Sequence, residues 1–283
     1  MSNYGVPHSE SSSVGPHRKP VTLLDLKSRR GSGDRIVMLT CYDASFARLL
    51  DECGVDVLLI GDSLGMVLQG HASTLPVTMD QMVYHTESVA RAKPTAWVLA
   101  DMPFGSYQES PAQAYANAAR LMAAGAQMVK IEGGAWLAST IEFLVKRGIP
   151  VCAHLGLTPQ SVHQLGGYRV QGRDQAAADQ LIADAKLLEQ SGADMVLVEL
   201  IPTPVGARLT ESLKVPTIGI GAGPHMTGQV LVLHDILDVT PGKKARFAKN
   251  YMQGAGSIRD AVSRYVAEVK SGAYPGPEHG FET

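Results

Sequence analysis

Five short apolar runs in this chain each close on a residue able to do chemistry. They are Val57-Leu58-Leu59-Ile60-Gly61-Asp62, Trp97-Val98-Leu99-Ala100-Asp101, Met128-Val129-Lys130-Ile131-Glu132, Val151-Cys152-Ala153-His154 and Met195-Val196-Leu197-Val198-Glu199. A run rich in Val, Ile and Leu, with little alternation, is the pattern of a parallel strand buried on both faces. An unpaired charge inside such a strand is costly. At the carboxyl end the same charge can point into a shared mouth, which is how barrels and open α/β sheets build their sites.

Between these runs lie helix-like stretches at Ala44–Cys53, Ser110–Ala124, Ala138–Arg147 and Ala176–Ser191. Each is followed by a glycine and then, within a few residues, by a strand: Gly54-Val55-Asp56-Val57, Gly125-Ala126-Gln127-Met128, Gly148-Ile149-Pro150-Val151 and Gly192-Ala193-Asp194-Met195. Glycine ends helices because it tolerates the left-handed conformation there. Strands alternating with helices predict βαβ units around a parallel sheet. Eight strands are expected, at Ile36–Thr40, Val57–Ile60, Trp97–Ala100, Met128–Ile131, Val151–Ala153, Met195–Val198, Thr217–Ile220 and Val230–Leu237, the last also readable as helix near Val230–His234. Eight such units predict a closed (β/α)8 barrel. A doubly wound open sheet is the alternative, and no Gly-x-Gly-x-x-Gly follows the first strand to support it.

The chain has 283 residues, 45% hydrophobic and 18% charged, with a formal net charge of −2. That length suits one barrel of about 250 residues. Residues 21–270 read as a single catalytic domain. Residues 1–20, with Ser9–Ser13 and scattered Gly and Pro, read as a disordered tail, and 271–283 as a flexible one. The balance gives no sign of a nucleic-acid partner. No apolar stretch approaches the ~20 residues of a membrane span, and the N-terminus is unlike a secretory signal. Three cysteines, Cys41, Cys53 and Cys152, fit no metal spacing, so a reduced, cytoplasmic setting is expected.

Each strand-end residue allows a functional and a plain reading. Asp62 and Asp101, at the ends of neighbouring strands, suit a hard cation such as Mg²⁺ with positions left for substrate and water; otherwise they are a helix cap and an ion pair. Lys130 and Glu132 lie two apart and point the same way. They are either a structural pair or ligand contacts, and Lys130 could also be a Schiff-base amine. His154 is a core histidine or a functional one. Glu199 is a proton acceptor, or else a partner for Arg208 or Lys130. Gly219-Ile220-Gly221-Ala222-Gly223 is either a phosphate-binding turn or a place of tight packing. Gly166-Gly167-Tyr168-Arg169 and Val170-Gln171-Gly172-Arg173 read as a loop over the mouth.

Several longer strings carry a family resemblance. Gly61-Asp62-Ser63-Leu64-Gly65-Met66, Gln69-Gly70-His71, Ser73-Thr74-Leu75-Pro76-Val77-Thr78, Ala100-Asp101-Met102-Pro103-Phe104, Val129-Lys130-Ile131-Glu132-Gly133-Gly134, His154-Leu155-Gly156-Leu157-Thr158-Pro159-Gln160-Ser161-Val162 and Gly219–Gly223 resemble the ketopantoate hydroxymethyltransferase family. The likeness runs from about Val37 to Val269. It implies a Mg²⁺-dependent barrel of pantothenate synthesis. Such an enzyme transfers a hydroxymethyl group from methylene-tetrahydrofolate, as cosubstrate, to 3-methyl-2-oxobutanoate, giving 2-dehydropantoate. It also implies a homo-oligomer, commonly a decamer. By resemblance Asp62 and Asp101 hold the metal, with Glu132 at its water shell and counted with the metal site. Asp62, Ser63, Asp101, Lys130 and His154 bind the keto acid, and Glu199 is the catalytic base. The chain departs from the family pattern at Leu200–Ala207, at Thr227 and at Asp174, where relatives usually carry Val-Pro-x-Glu-Leu-Ala, Asp and Gly. Metal–enolate barrels of the phosphoenolpyruvate mutase kind, a Schiff-base aldolase and a non-catalytic binding barrel are the competing readings.

Overall fold

A computed structural model describes residues 18–242 and 244–282. Helix α1 (Leu23–Ser28) comes first, followed by β1 (Ile36–Thr40), α2 (Ala44–Glu52), β2 (Val57–Ile60), α3 (Leu64–Val67) and α4 (Met79–Ala90). The middle of the chain gives β3 (Trp97–Asp101), α5 (Pro111–Ala123), β4 (Met128–Glu132), α6 (Ala138–Val145), β5 (Val151–Gly156), α7 (Gln175–Gln190) and β6 (Met195–Glu199). The last quarter gives α8 (Thr203–Ser212), β7 (Thr217–Ile220), β8 (Gly228–Leu231), α9 (Leu233–Ile236) and α10 (Ile258–Ser271). All eight strands are parallel, each hydrogen-bonded to the next, and β8 returns to β1 to close the barrel. The expected (β/α)8 architecture is therefore the one observed.

The strands are buried almost without exception, as runs lacking polar alternation require. Helices cover them through narrow apolar stripes. In α7, for example, Ala178, Ile182, Ala185 and Leu188 face inward at spacings of three and four. Helix starts follow ordinary capping chemistry. Ser110 caps α5 by accepting the Gln113 N–H, and Asp174, where the family pattern has Gly, caps α7 by accepting the Ala177 N–H.

The amino end of the barrel repeats one device four times. The residue just before each even-numbered strand accepts a backbone N–H from the preceding odd-numbered strand. Asp56 takes the Val37 N–H at 2.9 Å and Gln127 takes that of Val98 at 2.9 Å. Asp194 takes that of Val151 at 3.3 Å, and the Thr227 hydroxyl takes that of Thr217 at 3.2 Å. These N–H groups sit below the last ladder bond and would otherwise be orphaned. Helix α1 seals this end: Leu26 is fully buried, Lys27 pairs with Asp194, and Arg29 Nη1 lies 2.6 Å from Asp56 Oδ2.

Three expectations change. The eighth strand ends at Leu231 rather than Leu237. The Thr40 hydroxyl accepts the Leu233 N–H at 2.9 Å, and the chain turns into α9. The C-terminal segment, expected as a flexible tail, is docked. Tyr274 is buried against Tyr251 and Tyr265, its hydroxyl donates to the Phe247 carbonyl at 2.6 Å, and the Phe281 carbonyl accepts the Thr203 N–H at 2.7 Å. At the other end, Arg18 bonds the Val55 carbonyl at 2.6 Å, so the ordered chain begins within the span 1–20 read as a tail. Residues 1–17 of that span lie outside the described residues.

Candidate active site

Register brings the strand-end residues together. On adjacent strands Asp101 lies opposite Lys130, Glu132 opposite His154, and Gly156 opposite Glu199. Asp62 and Ser63 follow β2, and the Asp62 N–H donates to Asp101 Oδ2 at 3.0 Å. All seven predicted site residues therefore line one mouth at the carboxyl end of the barrel, around a cavity of about 160 Å³ that Tyr168 and Phe247 also border.

Lys130 occupies the centre. Its Nζ lies 3.3 Å from Asp101 Oδ1, 3.1 Å from Glu132 Oε1 and 3.1 Å from His154 Nδ1, and the side chain is 4% exposed. Burial alone would lower its pKa, but Asp101, Glu132 and Asp62 outweigh that and raise it well above the usual lysine value. Glu132 is the matching anion. Burial works against its charge, yet Lys130 and His154 hold its pKa down at about 2. Both its oxygens are engaged: Oε1 by Lys130 and His154, Oε2 by the Gln160 N–H at 3.0 Å. Glu132, expected with the metal site, lines the same mouth as Asp62 and Asp101.

His154 bridges two carboxylates, with Nδ1 3.1 Å from Glu132 Oε1 and Nε2 3.3 Å from Glu199 Oε2. Burial and the Lys130 charge push its pKa down; Glu132 and Glu199 more than compensate and raise it. Nδ1 is also 3.1 Å from Lys130 Nζ, and Nε2 faces Glu199 without a hydrogen bond. Glu199 remains partly open to the mouth, its side chain 14% exposed. It touches neither Arg208, which pairs with Asp179, nor Lys130.

The two aspartates behave differently. Burial raises the pKa of Asp62 well above the usual range, and the charges of Asp101 and Glu132 push it further. Burial also raises that of Asp101, though Lys130 opposes it. Asp101 Oδ1 is buried and accepts no hydrogen bond. Two neighbouring carboxylates that resist joint ionisation, one with a buried oxygen whose partner is the Lys130 ammonium at 3.3 Å, form a donor set that a hard cation would complete. Among the described residues no group of three or more His, Cys, Asp and Glu side chains could hold a metal ion.

Sequence reasoning did not single out Tyr42, Tyr107 or Gln160. The Tyr42 hydroxyl lies 2.9 Å from Ser63 Oγ and fixes that hydroxyl at the rim. Tyr107 and Gln160 tie Glu132 to Asp62. Their one sequence signal is the position of Gln160 just past the strand that carries His154. The Gly219–Gly223 run is closely packed. A Cβ at Gly219 would meet Met226, one at Gly221 would meet Phe247 and Phe281, and one at Gly223 would meet Thr203. The loop read as lying over the mouth does so: Tyr168 lines it, its hydroxyl 3.4 Å from Met66 Sδ, and the Gln171 N–H bonds the Leu200 carbonyl. Leu200 itself holds a left-handed φ of 46° directly after Glu199.

The sequence profile of the ketopantoate hydroxymethyltransferase family matches residues 20–277. The chain belongs to that family. Similar proteins include the 3-methyl-2-oxobutanoate hydroxymethyltransferase of Azoarcus sp. (strain BH72), 64% identical over 93% of this chain and 97% of the relative. That of Burkholderia multivorans (strain ATCC 17616 / 249) is 61% identical over the same shares. Among solved structures, a phosphonopyruvate hydrolase in complex with oxalate and Mg²⁺ superposes with a TM-score of 0.58 at 14% identity, covering 92% of this chain and 93% of its own. A 2,3-dimethylmalate lyase of the phosphoenolpyruvate mutase/isocitrate lyase superfamily gives 0.55 at 17% identity, covering 76% and 81%. At such identities the likeness is one of fold.

Proposed function

We propose that this member of the ketopantoate hydroxymethyltransferase family moves a hydroxymethyl group onto 3-methyl-2-oxobutanoate, with methylene-tetrahydrofolate as one-carbon donor and Mg²⁺ held by Asp62 and Asp101. The observation that carries the reading is one mouth holding a fixed cation, Lys130, a partly open carboxylate, Glu199, and a pair of neighbouring aspartates, one of them 3.3 Å from Lys130.

The chemical demand is a carbon nucleophile. The C3 proton of a 2-keto acid is weakly acidic, and its removal places negative charge on the keto oxygen. A divalent cation at Asp62 and Asp101 supplies Lewis-acid stabilisation of such charge. Lys130 adds a preorganised positive charge in a site shielded from water. The Ser63 hydroxyl, fixed by Tyr42, and His154 orient the keto acid. Glu199 accepts the C3 proton, and His154 at 3.3 Å holds its carboxylate at the mouth. Water takes the methylene carbon from folate as formaldehyde, both carbon–nitrogen bonds breaking with their electrons to nitrogen and the two protons of water passing to those nitrogens. The electron pair released at C3 then bonds that carbon, and its oxygen takes up the proton from Glu199 to become the hydroxyl.

A Schiff base on Lys130 would require a neutral amine, whereas Asp101 and Glu132 bracket this one as an ammonium. We also read the protein as a cytoplasmic homo-oligomer; no described helix is long and apolar enough to cross a membrane.

The test follows the C3 proton of 3-methyl-2-oxobutanoate by proton NMR in D2O, with EDTA-stripped enzyme, before and after Mg²⁺. Mg²⁺-dependent loss of that signal is the expected result. If the proton does not exchange even with Mg²⁺ and tetrahydrofolate together, the substrate and base assignments are overturned.

A further inference from the structure

Gln160 is a buried neutral amide in the short turn after β5, 5% exposed, and both polar atoms of its side chain and its backbone N–H are used. Its backbone N–H donates to Glu132 Oε2 at 3.0 Å. Its Nε2 donates to Asp62 Oδ2 at 2.9 Å and to the Met102 carbonyl at 2.9 Å. Its Oε1 accepts from the Tyr107 hydroxyl at 2.6 Å and from Gln108 Nε2 at 3.2 Å. A primary amide has two donors and two acceptor sites, so this one is saturated and cannot turn without losing several bonds. Tyr107 is itself held: it accepts the Glu132 N–H at 3.0 Å, and its ring stacks on Trp136, 6° from parallel at a 6.4 Å centroid distance.

The result is a selection among carboxylate oxygens. Asp62 has Oδ2 capped by the Gln160 amide, and Asp101 has Oδ2 capped by the Asp62 N–H at 3.0 Å. Glu132 has Oε2 capped by the Gln160 backbone. What is left over is one oxygen on each aspartate, the Asp101 one buried, without a hydrogen bond and 3.3 Å from Lys130 Nζ. We propose that Gln160 is the positioning residue of the cation site: by pinning Asp62 and Glu132 together, with Tyr107 locking its amide, it decides which carboxylate oxygens face a divalent cation. The inference rests on the reading of Asp62 and Asp101 as metal ligands. Residues behind metal ligands typically change affinity by about 10–100-fold when removed.

The experiment is an electron paramagnetic resonance titration of Mn²⁺ into EDTA-stripped, full-length protein, with melting temperature recorded in parallel without metal. Four proteins are compared: wild type, Asp101→Ala, Gln160→Met and Tyr107→Phe. Wild type is expected to bind, and Asp101→Ala to lose most affinity. Gln160→Met should weaken Mn²⁺ by roughly 10–100-fold, and Tyr107→Phe, which frees the amide while keeping its donors, by about threefold or more. No binding by wild type, or undiminished binding by Asp101→Ala, removes the cation site and the inference with it. Binding by Gln160→Met and Tyr107→Phe within about twofold of a binding wild type, whatever their melting temperatures, overturns the role of Gln160 alone. Should Gln160→Met not fold, the Tyr107→Phe affinity decides.

Discussion

Replacing Asp56 by Asn should destabilise the protein severely while leaving catalysis intact. The carboxylate is 1% exposed at the amino end of the barrel, away from the mouth. It accepts the Val37 N–H at 2.9 Å and meets Arg18, Arg29 at 2.6 Å and Lys270 at 3.0 Å. Arg18 and Lys270 are about a third exposed and can turn to water, so their share is small. Arg29, 15% exposed, and the Val37 N–H in the strand core set the cost. Breaking such a buried pair costs about 3–5 kcal/mol. For a domain of this size that lowers the melting temperature by roughly 6–20 °C, at about 2–4 °C per kcal/mol. The pH dependence gives a second handle. Burial would raise the pKa of Asp56, but the Arg29 hydrogen bond, the Val37 N–H and Lys270 win and hold it below the ordinary value. Its stabilisation is therefore complete above the unfolded value near ~4 and fades as pH falls toward the lower folded value. Urea titrations of both proteins at pH 7 and near pH 3 measure this. A loss under about 1 kcal/mol at neutral pH, or a difference as large near pH 3 as at pH 7, would refute the argument.

Other perturbations separate the remaining roles. Glu199→Gln should slow C3 exchange of the keto acid by roughly 10²–10⁴-fold with binding of the keto acid preserved; normal exchange would place the base elsewhere. Lys130→Met leaves Asp101 and Glu132 buried without their counter-charge and should cost about 3–5 kcal/mol in EDTA, read by chemical denaturation. A cost near zero would mean the carboxylates are not charged together. Thr227→Val strands the Thr217 N–H and should cost about 1–3 kcal/mol; a neutral effect would show that this acceptor is dispensable.

Much of the architecture was readable because parallel strands leave a plain trace. Each polar residue at Asp101, Lys130, Glu132, His154 and Glu199 ends or interrupts an apolar run, and burial leaves it nowhere to point but the shared mouth. The limit of β8 was not readable, since Val230–Leu233 is apolar throughout and the turn into α9 depends on Thr40, far away in sequence. The C-terminal segment has the Pro and Gly content of a linker, and only the docking of Tyr274 and Phe281 orders it. Gln160, Tyr107 and Tyr42 escaped because uncharged groups on loops carry no strand-end signature; their importance comes from whom they touch. The glycine run after β7 was ambiguous by nature, since close packing and anion binding call for the same residue.

Barrel closure has a consequence during synthesis. Ile36–Leu39 of β1 find their second neighbour only in Gly228–Leu231 of β8. At translation rates of about 5–20 residues per second, roughly ten to forty seconds separate the emergence of the two strands. For that interval β1 has an open flank of unpaired N–H and C=O groups, the kind of edge that pairs with other chains. A nascent barrel is thus most vulnerable to wrong partners just before its last quarter leaves the ribosome, and chaperone demand should fall sharply once β8 is available.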